Sequence, residues 1–153
     1  MKFVDVHWER HGFFVDPRAY LDELPCLRDE LPPGAWAFVS GPGHYDIPGA
    51  TRCVKDLELA GIHLATDRSG GLVLEFAPNR WKHDVGLRIG YTGVRHFAVD
   101  HHRAIDWMRV DTVLLDEVLP DGDGGCAHEI ELTDATLTVR CDDLEAVWGG
   151  DTG

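Results

Sequence analysis

Nine histidines and four cysteines set the chemistry to look for: metal ligation, proton transfer and nucleophilic attack. The most metal-like spacing is His7-x-Glu9-x-His11. On an extended strand a two-residue period puts all three on one face, and imidazole with carboxylate suits zinc or iron. Val4, Val6 and Trp8 then fill the other face, so the polar three point to solvent, as on an amphipathic edge strand. The glutamate is also misplaced for H-E-x-x-H. No metal is assigned there. His101 and His102, with Asp100, Asp106 and Trp107, form a second polar cluster in a loop. Adjacent extended residues point apart, which argues against a shared ion. The His101/His102/Asp106 region is still the place where a small hydrolase, or a metal- or ligand-binding domain, would keep its site.

A third pair lies near the end of the chain. Aligning Leu132 with Leu137 across a last hairpin sets His128 opposite Cys141 and Arg140 opposite Glu129. Cysteine beside histidine is the raw material of a nucleophile. Both, however, share the apolar phase of Ile130 and Val139, which predicts a packed, inert cysteine. Asp121-Gly122-Asp123-Gly124-Gly125 fails as a calcium loop, because Gly125, Cys126 and Leu132 stand where an EF-hand needs a ligand, the glycine and the bidentate glutamate. It reads as an acidic turn. Neither a phosphate loop nor a G-x-S-x-G elbow is present in the sequence. No catalytic residue and no cofactor is assigned.

Charge carries more information. The formal net charge is −13, and it is unevenly placed. Residues 1–52 hold five bases and eight acids, residues 53–110 eight and seven, and residues 111–153 Arg140 against twelve acids. Such a surface repels phosphate backbones, so nucleic-acid binding is not expected. Asp116, Glu117, Asp121, Asp123, Asp142, Asp143 and Glu145 are the predicted docking field for a basic partner. The cysteines, 27, 73 and 15 residues apart, form no C-x-x-C. The Met1–His7 stretch lacks the apolar core of a secretory signal. Four reduced thiols and a cytoplasmic location follow as expectations. No apolar run approaches the roughly 18 residues of a membrane span, so no membrane role is expected.

The elements that must position these groups are mostly strands. A strand is predicted at 3–8. Asp16-Pro17 is a helix start, and Leu21, Leu24, Leu27 and Leu31 trace a helical stripe over Tyr20–Leu31, interrupted at Pro25. Ala35–Ser40 reads as a strand before a Gly41-Pro42-Gly43 turn. Beyond residue 54 the pattern is β. Leu57/Leu59 and Ile62/Leu64 differ in phase, which predicts a bulge at Gly61. Leu72, Leu74, Phe76 and then Val85, Leu87, Ile89, Tyr91 alternate cleanly, and Thr92-Gly93 turns into Val94–Val99. Val110–Leu119 is apolar on both phases, as in a central strand. The prediction is a single α+β, β-rich domain over 1–153, with a mixed part at 1–52 and an antiparallel part at 53–150. It is an antiparallel sandwich or rolled sheet of about seven or eight strands with one N-terminal helical segment.

From Val54 to Trp148, Lys55-Asp56-Leu57-x-Leu59, Leu72-Val73-Leu74-Glu75-Phe76, Gly93-Val94, His128-Glu129-Ile130-x-Leu132-x-Asp134 and Leu137-x-Val139-x-Cys141-x-x-Leu144 follow in order. This layout resembles the small, acidic, β-rich immunity proteins found beside bacterial polymorphic toxins. The resemblance implies a cytosolic, non-enzymatic protein that binds and neutralises a basic, toxin-like partner. A structural accessory subunit is a further reading, and it would require an exposed apolar patch.

Overall fold

The computed structural model describes residues 1–102 and 112–149. Among them the fold is α+β and β-rich, with ten strands in three antiparallel sheets and two helices. The first sheet is a hairpin of β1 (Asp5–Glu9) and β2 (Gly12–Asp16), with Val6 opposite Val15 and Trp8 opposite Phe13. Val6 and Val15 pack on the core, whereas Trp8, near the tip, is 66 % exposed. His11 falls in the turn, so His7, Glu9 and His11 do not share one strand face as the spacing predicted.

Helix α1 (Arg18–Leu27) buries Tyr20, Leu24 and Leu27 and runs two residues past Pro25. The start falls one residue later than expected: Pro17, not Asp16, is the N-cap and Arg18 the first helical residue, although Asp16 Oδ1 still accepts the Arg18 N–H at 3.0 Å. Helix α2 (Pro33–Val39) replaces the strand predicted at Ala35–Ser40. A short apolar run does not distinguish the two. Here Pro33 presets the first helical turn. The carboxylate of Asp143, distant in sequence, then accepts the N–H groups of Gly34 at 3.0 Å and Ala35 at 2.9 Å. Only glycine fits at 34, since a Cβ there would stand 1.9 Å from the Leu144 carbonyl oxygen.

The remaining strands are β3 (Glu58–Leu64), β4 (Leu72–Ala77), β5 (Leu87–Thr92), β6 (His96–His101), β7 (Val113–Pro120), β8 (Cys126–Leu132), β9 (Ala135–Cys141) and β10 (Asp143–Trp148). They form two sheets, ordered β10-β5-β4-β3 and β6-β9-β8-β7. The inward residues of both, with those of the helices, make one hydrophobic core. The predicted bulge is present in β3, where Leu59 pairs with Phe76 and Gly61 with Glu75, leaving Ala60 over. The sheets are tied where Asp56 donates to the Val113 carbonyl and Val113 to that of Leu57, both at 2.8 Å. Among the described residues, no helix is long and apolar enough to cross a membrane.

Two expectations about the second sheet need correction. β7, read as central, lies at the end of its sheet, yet Val113–Val118 is buried on both faces. One face meets the core; the other lies beneath the N-terminal segment. The last hairpin is also shifted by two residues from the predicted register: Cys126 faces Cys141, His128 faces Val139 and Ala127 faces Arg140. A shift of two keeps every side chain on its own face, so alternation could not detect it. The tight Thr133–Asp134 connection decides the register.

Asp143→Ala removes the cap of α2 and is expected to cost about 1–2 kcal/mol. Gly34→Ala forces α2 off β10 and should cost about 1–3 kcal/mol. Urea unfolding of both variants measures this; wild-type midpoints would contradict the docking of α2 described here.

Candidate functional site

The predicted docking residues divide into three groups. Asp116 and Glu117 are buried, at 1 % and 2 % exposure, and so are removed from any surface field. A strand apolar on both phases is covered on both faces, and that pattern was the available signal for their burial. Asp143 turns inward to cap α2. Asp123, Asp142 and Glu145 are exposed, and Asp121 is half-buried. Asp121 lies 3.1 Å from Arg95 Nη2, and Asp142 is bridged to Arg95 Nη1. Asp121, Asp123 and Asp142 together raise the Arg95 guanidinium above its ordinary value. The β7–β8 turn and the β9–β10 junction thus meet at one acidic corner around Arg95. Glu145 is exposed on β10.

Asp116 and Glu117 point to opposite faces of β7. Asp116 Oδ1 accepts from His44 Nε2 at 2.8 Å and Oδ2 from His128 Nε2 at 2.9 Å. The Tyr91 hydroxyl donates to His128 Nδ1 at 2.8 Å, and that of Tyr45 to the Asp116 carbonyl at 3.3 Å. Phe38 packs edge-on against both imidazoles. Burial alone would raise the Asp116 carboxyl. Attraction to His44 and the hydrogen bonds from both histidines outweigh it, so the group is held well below the ordinary carboxylate value. Burial likewise pushes the Tyr45 and Tyr91 hydroxyls up. The adjoining gap, lined by Val54, Phe76, Ile89 and Ile130 among others, measures about 10 Å³. That is room for one water at most. This network is a core strut rather than a substrate site. His128, on the apolar phase of its strand, is satisfied in the core by Asp116 and Tyr91; His44, in a loop after α2, carried no sequence pattern that would reveal its role.

Glu117 does the same on the other face. Its Oε1 accepts the Lys2 N–H at 2.6 Å, and its Oε2 those of Phe3 and Val4 at 2.7 Å each. The carboxylate occupies a concavity of successive amides and holds residues 2–4 against β7.

His7 Nδ1 contacts Asp5 at 2.9 Å, and among the described residues no group of three His, Cys, Asp or Glu side chains is placed to hold a metal ion. In the second polar cluster, His102 Nε2 lies 2.8 Å from Glu131 and 3.1 Å from the Thr136 hydroxyl, which itself donates to Glu131 at 2.7 Å. A proton relay needs the acid and the nucleophile on different ring nitrogens. Here both crowd one nitrogen, which makes a surface clasp. Asp106 and Trp107 lie outside the described residues. Trp148 is half-buried and stacks on His83, the ring centroids 6.5 Å apart. Open grooves of about 430, 460 and 390 Å³ lie along β10. No protein-family model matches the chain, and no curated protein matches it significantly.

Because the folded Asp116 titrates below its unfolded value of 3.8, its stabilisation is complete above that pH and is lost as pH falls through the lower folded value. Asp116→Asn is expected to lose about 3–5 kcal/mol at pH 7, with the gap to wild type narrowing below about pH 4. Denaturant unfolding from pH 7 to 2 measures both; a pH-independent gap would contradict an ionised Asp116.

Proposed function

We propose that this chain is a non-enzymatic, acidic protein-binding module of the inhibitor or immunity type, acting in the cytoplasm on a basic partner. The observation that supports it is the convergence of Asp121, Asp123 and Asp142 from two connections at one corner, with Arg95 the arginine between them. A localised field of one sign raises association rates, selects cationic partners and disfavours nucleic acid. Glu145 extends it toward β10. Exposed aromatics add material for hot spots: Trp81 is 98 % exposed, and Trp8 stands out on the hairpin against Phe13, with Phe14 beside His7 on the other face. Among the described residues, His102 has Glu131 and Thr136 on one ring nitrogen and so offers no relay, which favours the binding reading.

The test uses an icosalysine peptide as the cationic probe, titrated calorimetrically at low salt. Asp123→Lys/Asp142→Lys/Glu145→Lys is compared with Asp22→Lys/Asp29→Lys/Glu30→Lys, a control of equal net charge on and after α1. The corner variant should lose about tenfold or more in affinity and the control much less, and wild-type binding should fade as added salt shortens the screening length to roughly 8 Å. Equal losses would show that total charge alone matters and would overturn the corner as the docking field.

A further inference from the structure

Cys126 and Cys141 face each other at the open end of the β8–β9 hairpin. Their Sγ atoms are 3.6 Å apart and both residues are fully buried. Directly opposed residues in an antiparallel pair have Cα atoms about 4.5–5.5 Å apart, inside the range that a disulfide spans. Joining the sulfurs at about 2.05 Å therefore needs small side-chain rotations and no strand movement. The surroundings give a route in. Cys126 directly follows a turn in which Gly122, Asp123 and Gly124 are exposed, and Cys141 precedes exposed Asp142. Gly125 is packed so closely that a Cβ would lie 1.9 Å from the Cys141 carbonyl oxygen, so the turn itself is the lid over the pair. Arg95 Nη2 also donates to that carbonyl at 3.2 Å. The hydrogen bond from Cys126 holds the Cys141 thiol below its ordinary value, while the same contact and burial push Cys126 up. Cys141 is then the first to attack.

We propose that Cys126 and Cys141 are a reversible modification site in the folded protein, a dithiol that glutathione disulfide converts to a cross-strand disulfide. Opening of the 121–125 turn admits the oxidant. The Cys141 thiolate, its proton released to solvent, attacks one sulfur of glutathione disulfide and expels a glutathione thiolate. Cys126, deprotonated in turn, attacks the Cys141 sulfur of the mixed disulfide and expels the second. Two protein thiols are oxidised by two electrons, and one glutathione disulfide is reduced to two glutathiones. The bond closes the loop from residue 126 to residue 141 and fixes the two connections that carry the acidic corner.

The experiment uses the folded chain with Cys26→Ser, which removes the exposed thiol of α1, equilibrated with glutathione disulfide. Alkylation and peptide mapping should show loss of two hydrogens, a 126–141 cross-linked peptide and Cys53 still alkylated. The Tm should rise by about 6–12 °C and return with dithiothreitol. Alkylation of both Cys126 and Cys141 after the same exposure would overturn the proposal. So would a bond from either to Cys53 or to a second chain, and so would a cross-link that lowers the Tm.

Discussion

Two adjacent carboxylates on one strand organise this protein. Taking an ionised carboxylate out of water costs several kcal/mol unless hydrogen bonds replace the lost hydration. β7 buries two of them, and their opposite directions make opposite demands. Asp116 requires donors inside the core, which brings His44 from the loop after α2 and His128 from β8 to one point. Glu117 requires donors on the outer face, and the amides of residues 2–4 supply them. A strand at the end of its sheet is thereby covered on both sides. Tyr20 adds a further tie from α1, donating to the Val118 carbonyl at 2.6 Å.

The same demand explains why the acidic last third is less acidic at its surface than on paper. Asp116, Glu117 and Asp143 are engaged by imidazoles and backbone amides, and Glu131 by Thr136 and His102. Glu129 lies 2.5 Å from the Met1 amino nitrogen. Among the described residues of this segment, what is left for a partner is concentrated at the Arg95 corner and at Glu145. A small field with defined geometry favours docking at that corner over binding spread across the surface.

β4 and β5 were legible because Leu72, Leu74, Phe76 and Leu87, Ile89, Tyr91 alternate without interruption and are buried as the pattern demands, whereas β10 was not expected. The β3 bulge was legible for the same reason, as a break of phase. α2 was not, because its start depends on Asp143, more than a hundred residues away, and no local window contains that information. The hairpin register was ambiguous by two residues, since faces survive such a shift. That ambiguity hid the Cys126–Cys141 pair. For the acidic residues, composition counted charges without asking which faces of β7 were covered.

The ring protonation of His128 and His44 tests the central role of Asp116 most directly. Long-range proton–nitrogen correlation spectra at pH 7 should show both imidazoles protonated at Nε2, with those protons exchanging slowly with solvent. Asp116→Asn should abolish this pattern while the exposed imidazole of His63 stays unchanged. Rings lacking an Nε2 proton, or Nε2 protons exchanging as fast as that of His63, would contradict a buried carboxylate as the hub of the fold.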